Sequence, residues 1–364
     1  MKIASNSLFL FAAIAVLWLP PKSATAADTV PWYEQVTLAG DIRLRYETIS
    51  LEGAPDQERG RYRGRLGLTV PLHETVRLVV RLATSDGSPD STNLNFDDGF
   101  STSNIRIDRA YVDWRINSSW QLQAGKLKAP WFRSGGNALL WDSDFNPEGL
   151  AATFRTGRMF GSAAALRMEP GPAGDDSLLL TVQGGLDLPL GNSRSLITGA
   201  GYYDYADTAG NVPFHNGSPD GNSTDASGNY RYDYAMLELF AQYKTVWRDL
   251  PATLFGAWAR NTEIGTGNTA YALGVKIGST AAQGNVQLAY TWQDTEADAV
   301  VATFNDSDFA GGRTGSSGHL LSLSYAIHEN VTMGATAIMS RRLDSTAGTL
   351  DYDRVMLDVA VAFE

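Results

Sequence analysis

The chain contains no cysteine, so it can hold neither a disulfide framework nor a thiolate metal site. Histidine is nearly as scarce, with 4 residues: His73, His215, His319 and His328. None falls mid-strand on a polar face beside a serine or aspartate it could activate, so no catalytic constellation emerges and no enzyme is expected. Positive charge is the minority sign, 29 Lys and Arg against 40 Asp and Glu, which excludes a general nucleic-acid binder. After Ala27 no apolar run approaches the roughly 20 residues of a spanning helix. The 43% of hydrophobic residues are instead dispersed almost one at a time.

The one continuous apolar run is N-terminal. Met1-Lys2 precede LFLFAAIAVLWL (Leu8–Leu19), and Ala24-Thr25-Ala26-Ala27 follow. A basic start, a short apolar core and a small-x-small end predict a secretory signal peptide over 1–26, cleaved after Ala26. Residues 27–364 then form a single domain, because no linker or composition break divides them. Export without cysteine, spanning helix or lipidation motif predicts the outer membrane of a Gram-negative bacterium.

Alternation fills the rest. Between Gly40 and Leu82, Ile42, Leu44 and Tyr46 interleave with Asp41, Arg43, Arg45 and Glu47. Tyr62, Leu66 and Leu68 interleave with Arg61, Arg63 and Arg65, and Val76, Leu78, Val80 and Leu82 with Arg77 and Arg81. A period of two puts successive side chains on opposite faces of a strand. An arginine turned to the bilayer midplane costs about 2–4 kcal/mol, so the arginines face water and the apolar residues face lipid. The fold class predicted is all-β, a transmembrane antiparallel barrel of about sixteen strands with a polar lumen. Connections alternate in length, as such barrels require: Pro71–Thr75, Asn117–Ser119 and His328–Asn330 are tight, whereas Asp86–Ser103, Ala206–Tyr230 and Thr295–Ser317 are long and polar. Trp114, Trp120, Trp247 and Phe363 mark one aromatic girdle, and Tyr46, Tyr203, Tyr232 and Trp292 the other. Arg106, Asp108 and Lys126 share the outward phase of their strands and are expected near the membrane boundary.

The segments GDIRLRYE (Gly40–Glu47), RGRYRGRLGL (Arg59–Leu68), RLATSDG (Arg81–Gly87), IDRAYVDW (Ile107–Trp114), AGK (Ala124–Lys126) and LLWDSDFNPEGLA (Leu139–Ala151) resemble the Gram-negative outer-membrane family called "putative porin", loosely akin to phosphate-selective porins. The matching motifs concentrate in the first 150 residues. The resemblance implies passive diffusion of small hydrophilic solutes and ions, commonly through a homotrimer embedded in outer-membrane lipid.

The third outer loop is apolar for a solvated segment. Trp131, Phe132, Leu139, Leu140, Trp141 and Phe145 accompany Asp142, Asp144 and Glu148, and they need a surface to pack on. Folding into the lumen supplies one, and predicts a constriction built from Trp131, Trp141, Asp142, Asp144 and Glu148. Asp142 and Asp144 would face Arg43, Arg61, Arg63, Arg77 and Arg81, giving weak anion preference. Three other readings compete. Asp142, Asp144 and Asn146 are spaced like the start of a calcium loop but lack its glycine and distal glutamate, so no metal or cofactor is expected. Trp131, Trp141 and Tyr111 could stack on sugars, although packing against the wall explains them too. A plugged structural or adhesive barrel, whose outer loops bind a partner, is the alternative to a channel.

Overall fold

Strict alternation leaves each segment one soluble face and one greasy face, and closing the strands into a ring satisfies both together with every backbone hydrogen bond. The computed structural model describes residues 31–96, 102–169, 177–215, 217–344 and 347–364; the predicted signal peptide lies outside them. The chain divides into a short unit, Met1–Gln35, and a large one, Val36–Glu364. Within the first, the described residues form a 3-10 turn, Trp32–Gln35.

The described residues of the large unit form one antiparallel sheet of seventeen strands closed on itself. The strands are β1 Thr37–Leu51, β2 Gln57–His73, β3 Val76–Thr84, β4 Leu94–Asn95, β5 Ile105–Arg115, β6 Trp120–Lys126, β7 Glu148–Thr156, β8 Met159–Glu169 and β9 Ser177–Gly191. They continue as β10 Arg194–Tyr205, β11 Tyr234–Trp247, β12 Leu250–Asn261, β13 Thr269–Gly278, β14 Val286–Thr295, β15 Ser316–His328, β16 Val331–Asp344 and β17 Gly348–Phe363. β4 is a two-residue piece of the second outer loop that pairs with Arg61 and Tyr62 of β2. The other sixteen form the wall. β1 closes the ring by pairing with β17 on one side and β2 on the other, which leaves no sheet edge. Tight turns join strands at one end. At Asn192-Ser193 and Arg248-Asp249 both residues have positive φ, as a two-residue turn needs to match strand twist.

Burial follows the predicted parity on β1 and β2. Leu44 and Leu66 are exposed on the outer face, while Arg45 and Glu47 are buried on the inner one. Trp114, Trp120, Trp247 and Phe363 are exposed at the tight-turn end, as a girdle requires. Tyr203 is a correction: it is buried at 2% exposure and donates to Glu238 at 2.8 Å inside the barrel.

A second correction comes from a β-bulge. The register of β3 on β5 shifts between Arg81, opposite Arg109, and Leu82, opposite Ile107, so Asp108 is the extra residue. One extra residue reverses the phase of everything beyond it. Ile105 and Ile107 therefore take the outward phase and are exposed there, Arg106 takes the opposite phase while staying exposed at the strand's end, and Asp108 points inward, where it pairs with Arg81. Lys126 keeps its expected outward phase and pairs with Glu148 at 3.5 Å.

Candidate functional site

The inner face is divided by charge. On β1, β2, β3, β5 and β17 it carries Arg43, Arg45, Arg59, Arg61, Arg63, Arg65, Arg77, Arg81, Arg109 and Arg354. Across the ring, on β8 to β13, inward positions are mainly small, aromatic or amide: Ser162, Thr181, Gln183, Tyr203, Phe240, Gln242, Ala257, Ala259 and Ala272 are all buried there.

The arginines are packed against acids. Antiparallel register sets Arg43 opposite Arg63 and Arg45 opposite Arg61, a repulsive arrangement unless counter-ions intervene. They do: Arg63 and Arg65 reach Asp41 at 2.8 and 2.7 Å, and Arg59 and Arg354 reach Glu47 at 2.6 and 2.5 Å. Arg45 grips Asp358 at 2.8 Å, Arg77 meets Asp113 at 2.6 Å and Arg81 meets Asp108. The wall is thus less positive than the arginine count alone suggests, because Asp108, Asp113 and Asp358 share the inward face. Arg43 and Arg109 are the least neutralised. Arg43 lies 4.0 Å from Asp358 and donates to Asn93, while Arg109 donates to Asn146.

The third outer loop, residues 127–147, folds against the inner face. Phe132 N–H donates to Gln183 Oε1 at 2.7 Å while Gln183 donates back to its carbonyl at 2.9 Å. Ser134 donates to the Gly256 carbonyl at 3.0 Å, and Gly135 N–H to Gln242 at 2.7 Å. Gly135 has φ +60°, and a Cβ there would sit 2.2 Å from the Phe255 ring, so only glycine lets the loop approach this closely. Trp131 meets Trp141 and Tyr203 edge-on. Both tryptophans are buried, so these rings serve packing rather than offering free faces to a sugar.

The seventh outer loop, residues 296–315, lay outside the sequence-based reading of the constriction. Its Phe304 stacks on Trp141 at 4.7 Å and on Tyr205 at 5.5 Å, with Phe145 edge-on. Its Ser307 N–H donates to Asp142 at 3.2 Å, and Asp142 N–H donates to the Phe304 carbonyl at 2.7 Å. One residue on, Asp308 reaches Arg45 and Arg354, each at 2.9 Å. Contacts therefore run without a break from β11 and β12, through the third and seventh loops, to β1 and β17.

The expected acids are redistributed by this arrangement. Asp142 is buried against the seventh loop, and Asp144 is 4.0 Å from Arg65, so among the carboxylates of these two loops Asp308 makes the closest contacts with arginine. Glu148 is corrected: as the first residue of β7 it shares the outward phase of Leu150, away from any constriction. Asp142, Asp144 and Asn146 are turned to protein partners, with Asn146 donating to Asp108 and accepting from Arg109, each at 2.7 Å.

Burial, then the charge of Asp306, pushes the Asp142 carboxyl up from its ordinary range. Burial, then Asp308, raises Asp306. Burial opposes ionisation of Asp308 as well, but Arg354 and Arg45 outweigh it and hold that group below the ordinary range. A raised carboxyl favours the folded contact only while protonated, so that stability is lost as pH climbs from the ordinary carboxylate range to the raised values. Asp308 retains its pairing throughout this window. The contact between the loops should be tightest in mild acid, and amide exchange over 139–146 and 302–308 should be faster at pH 9 than at pH 5 after correction for intrinsic rate. Equal corrected rates would refute this.

A family model described as "Putative porin" matches residues 50–236 and 222–363. No curated protein matches. Among solved structures, Pseudomonas putida OprB in its high-pH form is similar with a TM-score of 0.61 at 12% identity, over 90% of this chain and 94% of that one. A mutant of the Rh. blastica porin is similar with a TM-score of 0.54 at 14% identity, over 90% and 100%. At such identities the likeness speaks for the fold. Joined to a closed barrel of amphipathic strands, the family matches over most of the sequence show that this chain belongs to the "Putative porin" family.

Proposed function

We propose that the barrel is a porin for passive diffusion of small hydrophilic solutes and ions across the bacterial outer membrane, with a weak preference for anions. The observation that carries this is the inward arginine wall, paired with acids on the same strands, in which Arg43 and Arg109 donate to amides and Arg43 comes no nearer than 4.0 Å to its carboxylate partner Asp358. Charge inside a narrow aqueous gap biases which ions enter. The third and seventh loops together face this wall, so we assign the constriction to both, with Asp308 and Asp144 as its acidic side. Incorporation into planar bilayers should give stepwise conductance with a reversal potential on the anion-preferring side. Arg61→Ser with Arg63→Ser should lower that preference, and 1 M salt should weaken it as the Debye length falls to about 3 Å. An unchanged reversal potential in the double variant would remove both arginines from the constriction.

The unbroken loop contacts favour one second reading, a plugged barrel whose outer loops bind a partner. Absence of conductance at high protein input would select it.

We also propose a homotrimer, because the small outward residues Ala335 and Ala337 on β16 permit close approach of neighbouring walls. Light scattering in detergent should give three chains per particle; a single chain would refute the assignment.

A further inference from the structure

Asp308 sits on a connection between two 3-10 turns, Ala302–Phe304 and Ala310–Gly312. Its partners Arg45 and Arg354 sit on adjoining strands locked by the β1–β17 ladder. The cationic half of this contact is fixed by the sheet, whereas the anionic half belongs to a loop. Arg45 and Arg354 side chains are 6% and 3% exposed. In the same cluster the Nε atoms of Arg43, Arg61 and Arg354 are buried without an acceptor among the described residues. The site thus offers more donors than Asp308 can use.

We propose that Arg43, Arg45 and Arg354 form a binding site for carboxylate-bearing solutes, in which Asp308 is a resident occupant that a solute carboxylate displaces. This rests on the channel reading above and deepens it. Without Asp308, these three arginines and Arg61 keep ion pairs with Glu47 and Asp358 among the described residues, four cations against two close carboxylates, and charge left unpaired in such surroundings demands an anion. Asp308 places one oxygen on each of two guanidinium groups, a two-point geometry that a carboxylate reproduces and chloride does not. Displacement moves the loop that carries Phe304 and Ser307, so occupancy of the site and the position of the third loop are linked, and linkage is reciprocal.

The test uses the full chain in detergent. With the resident competitor removed, Asp308→Ala should bind succinate at least ~10-fold more tightly than wild type in calorimetry at fixed ionic strength. Adding Arg45→Gln should abolish the gain. Wild type gives a measurement that needs no substitution: succinate should speed amide exchange over 302–309 relative to sodium chloride of equal ionic strength. Unchanged affinity in Asp308→Ala overturns the proposal, and so does unchanged wild-type exchange. Phosphate acting where succinate is inert overturns the carboxylate assignment. Succinate binding to a protein that gives no bilayer conductance sinks the channel reading while upholding the site; conductance without binding does the reverse.

Discussion

Glu47→Gln should lower the stability of the barrel by about 3–5 kcal/mol, the range for breaking a buried charge pair from one side. Glu47 has no exposed surface, and its two oxygens serve Arg59 at 2.6 Å, Arg354 at 2.5 Å and Arg61 at 3.4 Å, with Arg45 at 3.8 Å. The amide keeps the shape, loses the charge and presents two N–H groups to guanidinium donors. What remains is a cluster of guanidinium groups in which Arg45 and Arg354 keep only Asp308 and Asp358, while Arg59 and Arg61 lose the carboxylate they shared. Unfolding by denaturant in detergent, followed by heat-modifiable migration on gels, gives the measurement. Asp351→Asn is the control: the Arg341–Asp351 pair is exposed on both sides and should contribute within about 1 kcal/mol. Equal midpoints for Glu47→Gln and wild type would mean that water reaches this cluster freely.

The second large effect concerns the loops and should leave the barrel standing. Phe304→Ala removes the ring held between Trp141 and Tyr205 and edged by Phe145 and Phe214. Truncating a buried phenylalanine costs about 3–5 kcal/mol, and here the cost falls on the docking of one loop to another. Loops outside the sheet open as separate cooperative units. Amide exchange over 139–146 and 302–308 should rise by orders of magnitude, while the denaturation midpoint of the strands moves little. Single-channel conductance should increase and become noisier. Unaltered loop exchange would show that hydrogen bonds at Asp142, not the aromatic stack, hold the loops together.

The strands and their two faces were readable because alternation is a local signal repeated many times over. Arg43, Arg45, Arg61, Arg63 and Arg65 follow it without exception. It failed at Asp108, where one extra residue inverts the phase; a bulge depends on the partner strand, so nothing inside IDRAYVDW announces it. The acids opposing the arginines were partly readable. Asp358 lies between Leu357 and Val359, whose outward phase already turns it inward, whereas Asp108 needed the bulge. The third loop's inward fold was legible from its tryptophans, which could not remain in water. The seventh loop offered no such sign. Its decisive pairs, Arg45 with Asp308 and Asp142 with Ser307, span 263 and 165 residues, and no spacing rule reaches that far.

The β1–β17 seam has a consequence in time. Arg354 with Glu47 and Arg45 with Asp358 join residues 307 and 313 positions apart, nearly the two ends of the barrel sequence. Contacts of such separation form late, because the chain between them must be ordered first. Until the last strand docks, Glu47 lacks Arg354 and Arg45 lacks Asp358. A nascent chain therefore carries surplus arginine charge along its first two strands throughout assembly, a state that water tolerates and lipid does not. Sealing the ring and supplying Arg45 with its carboxylate are one event, so an incomplete chain has an electrostatic reason to stay out of the bilayer until its last strand docks.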